Sequence, residues 1–140
     1  KVLLGARPGQ GSGVVDGYSR IPLDELLPQA DVLSLHCLLT DETRDLIGAR
    51  ELKMMKPDSL LINTSRGGLV NEQALADALR AGEIGGAGFD VLTEEPPRNG
   101  NPLLADDIPN LIMTPHSAWA SREARQRIVG ITAVNLKSVL

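Results

Sequence analysis

A chain of 140 residues with 42% hydrophobic content, 23% charged residues and a net charge of −4 has the length and composition of one domain with a core of its own. It has no basic block and few aromatics, Tyr18, Phe89 and Trp119, which argues against nucleic acid as a partner. No segment approaches the roughly 18 apolar residues of a membrane span, nothing resembles a signal peptide, and the one cysteine, Cys37, excludes an internal disulfide and a cysteine-based zinc site. No membrane and no metal are therefore expected, and a cytoplasmic location is the expectation.

Residues 1–5 (KVLLG) read as a first strand. The glycine-rich stretch that follows, 7–17 (RPGQGSGVVDG), lacks the G-x-G-x-x-G spacing that opens a helix, so it reads as a flexible connection and not as a phosphate loop. A short helix limited by proline is predicted over 23–29 (LDELLPQ), and a strand over 31–36 (DVLSLH). Two helices are predicted over 41–47 and 49–55, ahead of Pro57. A strand over 59–63 (SLLIN) leads to NTSRGG. The clearest helix is 71–81 (NEQALADALRA): Asn71 can cap it, Glu72 suits its positive end, Leu75 and Leu79 share a face, and Gly82 ends it. Strands follow at 86–91 (GAGFDV) and 111–114 (LIMT), separated by a long loop over 92–109. A last helix, 121–140, opens at Ser121, and its Ile128, Ile131, Val134 and Leu136 suggest burial against another surface.

Strands alternating with helices predict an α/β fold with a parallel sheet, its strands apolar enough to be covered on both faces. In such sheets ligands gather beyond the carboxyl ends of the strands. Thr64, Ser65 and Arg66 follow one strand, Asp90 then Glu94 and Glu95 another, and His116 a third. Each alone has an ordinary reading: a solvated arginine, loop acids beside prolines, a histidine closing a turn, a cysteine packed at a strand end. Their joint placement is what suggests a site.

The stretches LINTSRGGLVNEQALADAL, GAGFDVLTEEPPRNGNPL and LIMTPHSAWASREARQRI resemble the cofactor-binding domain of the D-isomer-specific 2-hydroxyacid dehydrogenases. Within that family they are most similar to the glycerate dehydrogenases, or hydroxypyruvate reductases, towards which Ser117-Ala118-Trp119 also leans. The likeness extends upstream through DVLSLHCLLTDETRDLIGARELKMMKPDSLLIN. It implies a Rossmann-like parallel sheet with flanking helices and an NAD- or NADP-dependent oxidation and reduction of small 2-hydroxy and 2-keto acids. Carried over by position, Arg66 holds the substrate carboxylate and keto oxygen, Glu95 is the acid before proline, and His116 is the proton donor and acceptor. Cys37, Thr43, Thr64, Ser65, Arg66, Asp90 and His116 fall where the family contacts its cofactor. The chemistry is coherent: a carboxylate beside a histidine favours imidazolium and fixes its tautomer, and an arginine fork pairs with a carboxylate as a lysine cannot.

The sequence departs from the family pattern in three ways. The first strand, its glycine loop and helix, and the separate substrate domain have no counterpart in residues 1–140, so the expectation is a partial NAD(P)-binding domain, inactive alone, from a protein that is a homodimer when complete. Gly5-Ala6-Arg7 stands where NAD-specific members carry an acid, so Arg7 either meets a 2′-phosphate or is a solvated loop arginine, and the sequence leaves both open. Leu38 replaces the proline of the family's H-C-P-L-T. Substrates of related dehydrogenases (phosphoglycerate, D-lactate), a non-catalytic nucleotide-sensing corepressor and an inert fragment needing a partner are the alternatives, since the family's corepressors resemble its enzymes even at Arg66, Glu95 and His116.

Overall fold

The computed structural model describes residues 1–139. Strand β1 (Leu4–Gly5) pairs in parallel with β3 (Tyr18–Ile21), which pairs antiparallel with β2 (Gly13–Val15), making a small three-stranded sheet. Two expectations are corrected here. Residues 1–5 do not join the main sheet, and only Leu4–Gly5 are strand. The stretch 7–17 is not merely a connection, because Val14-Val15 and Tyr18 flank Asp16-Gly17, whose φ angles of 52° and 79° are those a two-residue hairpin turn demands. An Asp-Gly pair between β-forming residues is a hairpin signal in its own right.

The main sheet is parallel, in the order β4 (Val32–Leu35), β5 (Leu60–Asn63), β6 (Gly86–Phe89), β7 (Leu111–Met113). Its register aligns Leu35, Asn63, Phe89 and Met113 in one row, so the residues that follow all four strands leave the sheet at one edge.

Helix α1 (Leu23–Leu26) runs into a single 3-10 turn at Leu27–Gln29, tightened at Pro28. Helix α2 (Ala49–Met54) begins at Gly48, whose N–H is held by Glu51 Oε2 at 3.0 Å. The helix expected over 41–47 is absent: Asp45 has φ 50°, which breaks the α-helical path. The backbone there bonds outward instead, Asp45 N–H to the Gly68 carbonyl and Ile47 N–H to the Leu69 carbonyl. Helix α3 (Glu72–Ala81) has its Asn71 cap, the side-chain oxygen accepting from Ala74 N–H at 2.9 Å, and Gly82 terminates it.

One apolar core joins these pieces, with Leu27, Ile47, Leu52, Leu61, Leu69 and Leu75 wholly buried. Each such side chain contributes about 1.5–3 kcal/mol by leaving water. The strands, however, are not covered on both faces as expected. Leu33, Leu35 and Leu61 face the core, while Val32, Leu60 and Ile112 on the other face are exposed. Helix α4 (Arg122–Lys137), capped by Ser121 Oγ on Ala124 N–H, does not cover that face, since none of its residues is buried. The burial expected for Ile128, Ile131, Val134 and Leu136 is therefore not found, and Leu140, the end of the predicted segment, lies outside the described residues.

Candidate active site

The loop after β5 is shaped by Asn63. Wholly buried, it accepts from Ser65 N–H through Oδ1 at 3.1 Å and donates through Nδ2 to the Arg66 carbonyl at 2.9 Å. A polar side chain at the end of an apolar strand thus satisfies the backbone of the turn that follows it. Ser65 Oγ donates to the Cys37 carbonyl at 3.0 Å, tying this loop to the exit of β4. Thr64 and Arg66 are left exposed, and the Arg66 guanidinium donates within the chain to its neighbour's carbonyl, Ser65 O, at 2.7 Å.

The following residue, Gly67, sits against the exit of β6. A Cβ at this position would lie 2.0 Å from the Leu92 carbonyl carbon and 2.3 Å from Thr93 N, so the two loops approach at a distance only glycine allows. The loop after β6 is also held by Glu72 at the start of α3, whose carboxylate accepts from Thr93 N–H and from Asn101 Nδ2, both at 2.7 Å. Glu72 read in the sequence only as a favourable helix-start acid, and no spacing rule shows that it anchors a loop 21 residues away.

Glu95 lies on this anchored loop. Its Oε1 accepts from Leu92 N–H at 2.8 Å, and its Oε2 meets His116 Nδ1 at 2.6 Å. Glu94 points elsewhere, accepting from Asn99 Nδ2 at 3.4 Å. Partial burial works against ionisation of Glu95, but the Leu92 N–H and His116 outweigh it and hold the carboxyl below its usual range. Glu95 is therefore ionised near neutrality. His116 Nδ1, facing an acceptor-only carboxylate, then carries its proton towards Glu95 and donates.

Asp90 organises the turn that carries His116. It is buried, and its Oδ1 accepts from Ser117 N–H at 2.8 Å and from the Thr114 hydroxyl, its Oδ2 from Ala118 N–H at 2.9 Å. Burial again opposes the charge, and these three donors, with the nearby His116, overcome it and depress the carboxyl below its ordinary range. Of the roughly four acceptor positions of a carboxylate, one remains for anything outside the chain.

Asp90 makes stability fall towards acid pH. Because the folded carboxyl titrates lower than in the unfolded chain, its contribution is complete above the ordinary carboxyl range and is lost as pH falls through the depressed folded value. Asp90→Asn turns a donor towards the Ala118 N–H and is expected to cost about 1–3 kcal/mol near neutrality. It also flattens the acid limb, a result read from urea unfolding between about pH 3 and pH 7.

Other candidate residues stand apart from this cluster. Thr43 is buried, its hydroxyl donating to the Leu38 carbonyl at 2.7 Å and accepting from Thr40 N–H at 2.8 Å, so it shapes the loop after β4. Cys37 is half-buried, and burial raises its thiol pKa. Arg7 is exposed beyond β1 on the small sheet, with none of the hydrogen bonds that knit the main edge together. Among the described residues no group of acids, histidines and cysteine is arranged to hold a metal.

The architecture is that of a Rossmann-like α/β domain with an acid–histidine pair and an arginine at the carboxyl edge of its sheet. Residues 6–118 match the model of the D-isomer specific 2-hydroxyacid dehydrogenase, NAD binding domain. A glycerate dehydrogenase of Methylorubrum extorquens is 58% identical over 106 residues, 76% of this chain and 34% of that protein. Among solved structures, an acyclic imino acid reductase in complex with NADPH and D-Arg superposes with a TM-score of 0.79 at 37% identity, over 91% of this chain and 40% of that one. The NAD-complexed D-isomer specific 2-hydroxyacid dehydrogenase of Lactobacillus delbrueckii gives 0.70 at 38%, over 83% and 40%. This chain belongs to the D-isomer specific 2-hydroxyacid dehydrogenase family, in its NAD-binding domain, and spans a third to two fifths of the length of these relatives.

Proposed function

We propose that the chain is the cofactor-binding part of a cytoplasmic, dimeric dehydrogenase that interconverts a small 2-keto acid and its D-2-hydroxy acid, hydroxypyruvate and D-glycerate or glyoxylate and glycolate. The observation that carries this reading is the 2.6 Å contact between Glu95 and His116 at the sheet edge to which β5 delivers Arg66. The exposed Thr64, Arg66 and His116 leave polar groups open at that edge, which suits a polar nicotinamide head. When bound, the nicotinamide supplies or accepts the hydride.

The chain's own residues supply the rest. His116 delivers a proton from Nε2 to the developing alkoxide while Glu95 stabilises the imidazolium through Nδ1. Arg66 pairs its guanidinium fork with the substrate carboxylate and polarises the keto oxygen. Gly13 and Gly17 belong to the β2–β3 hairpin, and no helix follows Gly9 and Gly11, so these glycines are not assigned to the pyrophosphate.

The test is oxidation of NADH and of NADPH by the complete protein with hydroxypyruvate and with glyoxylate. Turnover is expected with at least one pair, and absence of turnover with every small 2-keto acid overturns the reading. If Arg7 meets a 2′-phosphate, NADPH is preferred, and Arg7→Ala removes that preference while sparing NADH.

A further inference from the structure

His116 occupies the left-handed backbone region at φ 51°, which is unfavourable by roughly 1–2 kcal/mol for a residue with a Cβ. Such a conformation persists only where its surroundings impose it. Before His116 the chain is fixed by Thr114 N–H on the Phe89 carbonyl at 2.9 Å and by His116 N–H on the Thr114 carbonyl at 3.0 Å. After it, the peptide plane joining His116 to Ser117 is gripped at both ends. Its N–H donates to Asp90 Oδ1 at 2.8 Å, and its carbonyl, that of His116, accepts from Trp119 Nε1 at 2.8 Å.

We propose that Trp119 is a positioning residue for His116, holding the outer end of this peptide plane so that the imidazole stays directed at Glu95. The proposal rests on the reading of His116 as the proton donor. Trp119 is 54% exposed, so core burial is not what its side chain provides. An indole has one donor and no acceptor, and here that donor is committed to the carbonyl of the strained residue. Asp90 secures only the inner end of the plane. Without the indole the His116 carbonyl loses this partner, and although Asp90 still holds the N–H groups of Ser117 and Ala118, the plane can tilt about those bonds and carry the His116 ring away from the carboxylate.

Trp119→Phe removes the N–H and keeps an aromatic ring. The decisive measurement is the His116 Nδ1 proton in the nitrogen-resolved NMR spectrum, which is simple to assign because the chain has two histidines, His36 and His116. In the native protein a bond as short as 2.6 Å to Glu95 gives a protected, low-field proton. In Trp119→Phe that signal is expected to broaden or vanish while the thermal midpoint falls by no more than the few degrees that one hydrogen bond is worth, and kcat of the complete enzyme to fall about 2- to 10-fold, with cofactor KM unaltered. An unchanged Nδ1 proton overturns the proposal whatever kcat does. If the native enzyme shows no turnover at all, the proposed reaction fails, and the Nδ1 proton still decides the role of Trp119.

Discussion

Replacing His116 by alanine is expected to lower kcat for 2-keto acid reduction by about 10²- to 10⁴-fold in the complete protein, the range that positioned general acids contribute. The ring is 44% exposed, its one side-chain bond is to Glu95, and it lies outside the core cluster, so little stability depends on it. Alanine also relieves nothing of the turn's grip, because the bonds from Thr114, Asp90 and Trp119 engage main-chain groups or each other and not the imidazole. The loss should therefore appear chiefly in the chemical step, with turnover falling far more than affinity for the nicotinamide cofactor. Glu95→Gln is a matched control: it keeps the shape of the pair but not the charge that stabilises imidazolium. Equal losses of turnover and cofactor affinity in His116→Ala would assign the histidine a structural role.

Gly67→Ala is expected to be the most damaging single-methyl change in the domain. The added carbon would stand 2.0 Å from the carbonyl carbon and 2.3 Å from the carbonyl oxygen of Leu92, both backbone atoms that have no rotamer by which to withdraw. Relief requires the loops after β5 and β6 to separate, and those loops carry Arg66 and Glu95. We expect destabilisation at the upper end of overpacking or beyond it, about 3 kcal/mol or more, measured by urea unfolding. In any fraction that folds, the Glu95–His116 pair should be disrupted. By contrast, a Cβ on Gly100 meets nothing within 4 Å, so crowding cannot be what a substitution there costs. A Gly67→Ala protein as stable as the parent would show that this close approach is not rigid.

Several of these features were legible in the residues. The four strands of the main sheet, the capped helix α3 and the placement of arginine, acid and histidine after successive strands follow from short apolar runs, Asn71 and Gly82, and the strand-end rule for parallel sheets. Such signals are local, so one sequence carries them. The hairpin of β2 and β3 was legible too, in Asp16-Gly17 between β-formers, but it was obscured by the glycines before it. The helix expected over 41–47 failed because tertiary pairing with residues 68–69 claimed its backbone.

By itself, then, the sequence determined the α/β class, the order of its main strands and which residues leave the carboxyl edge, because periodicity and turn chemistry are written along the chain. Only the tertiary structure decided the rest: that Glu95, already preferred to Glu94 by the resemblance, meets His116 through Oε2, that Asp90 grips the histidine turn, that Glu72 anchors the acid-bearing loop, and that Gly67 must have no side chain. Those facts depend on register and on distances between segments 20 or more residues apart. The same holds for α4, whose apolar residues read as buried yet are exposed. A hydrophobic pattern states that a face is apolar; only the packed chain states whether anything lies against it.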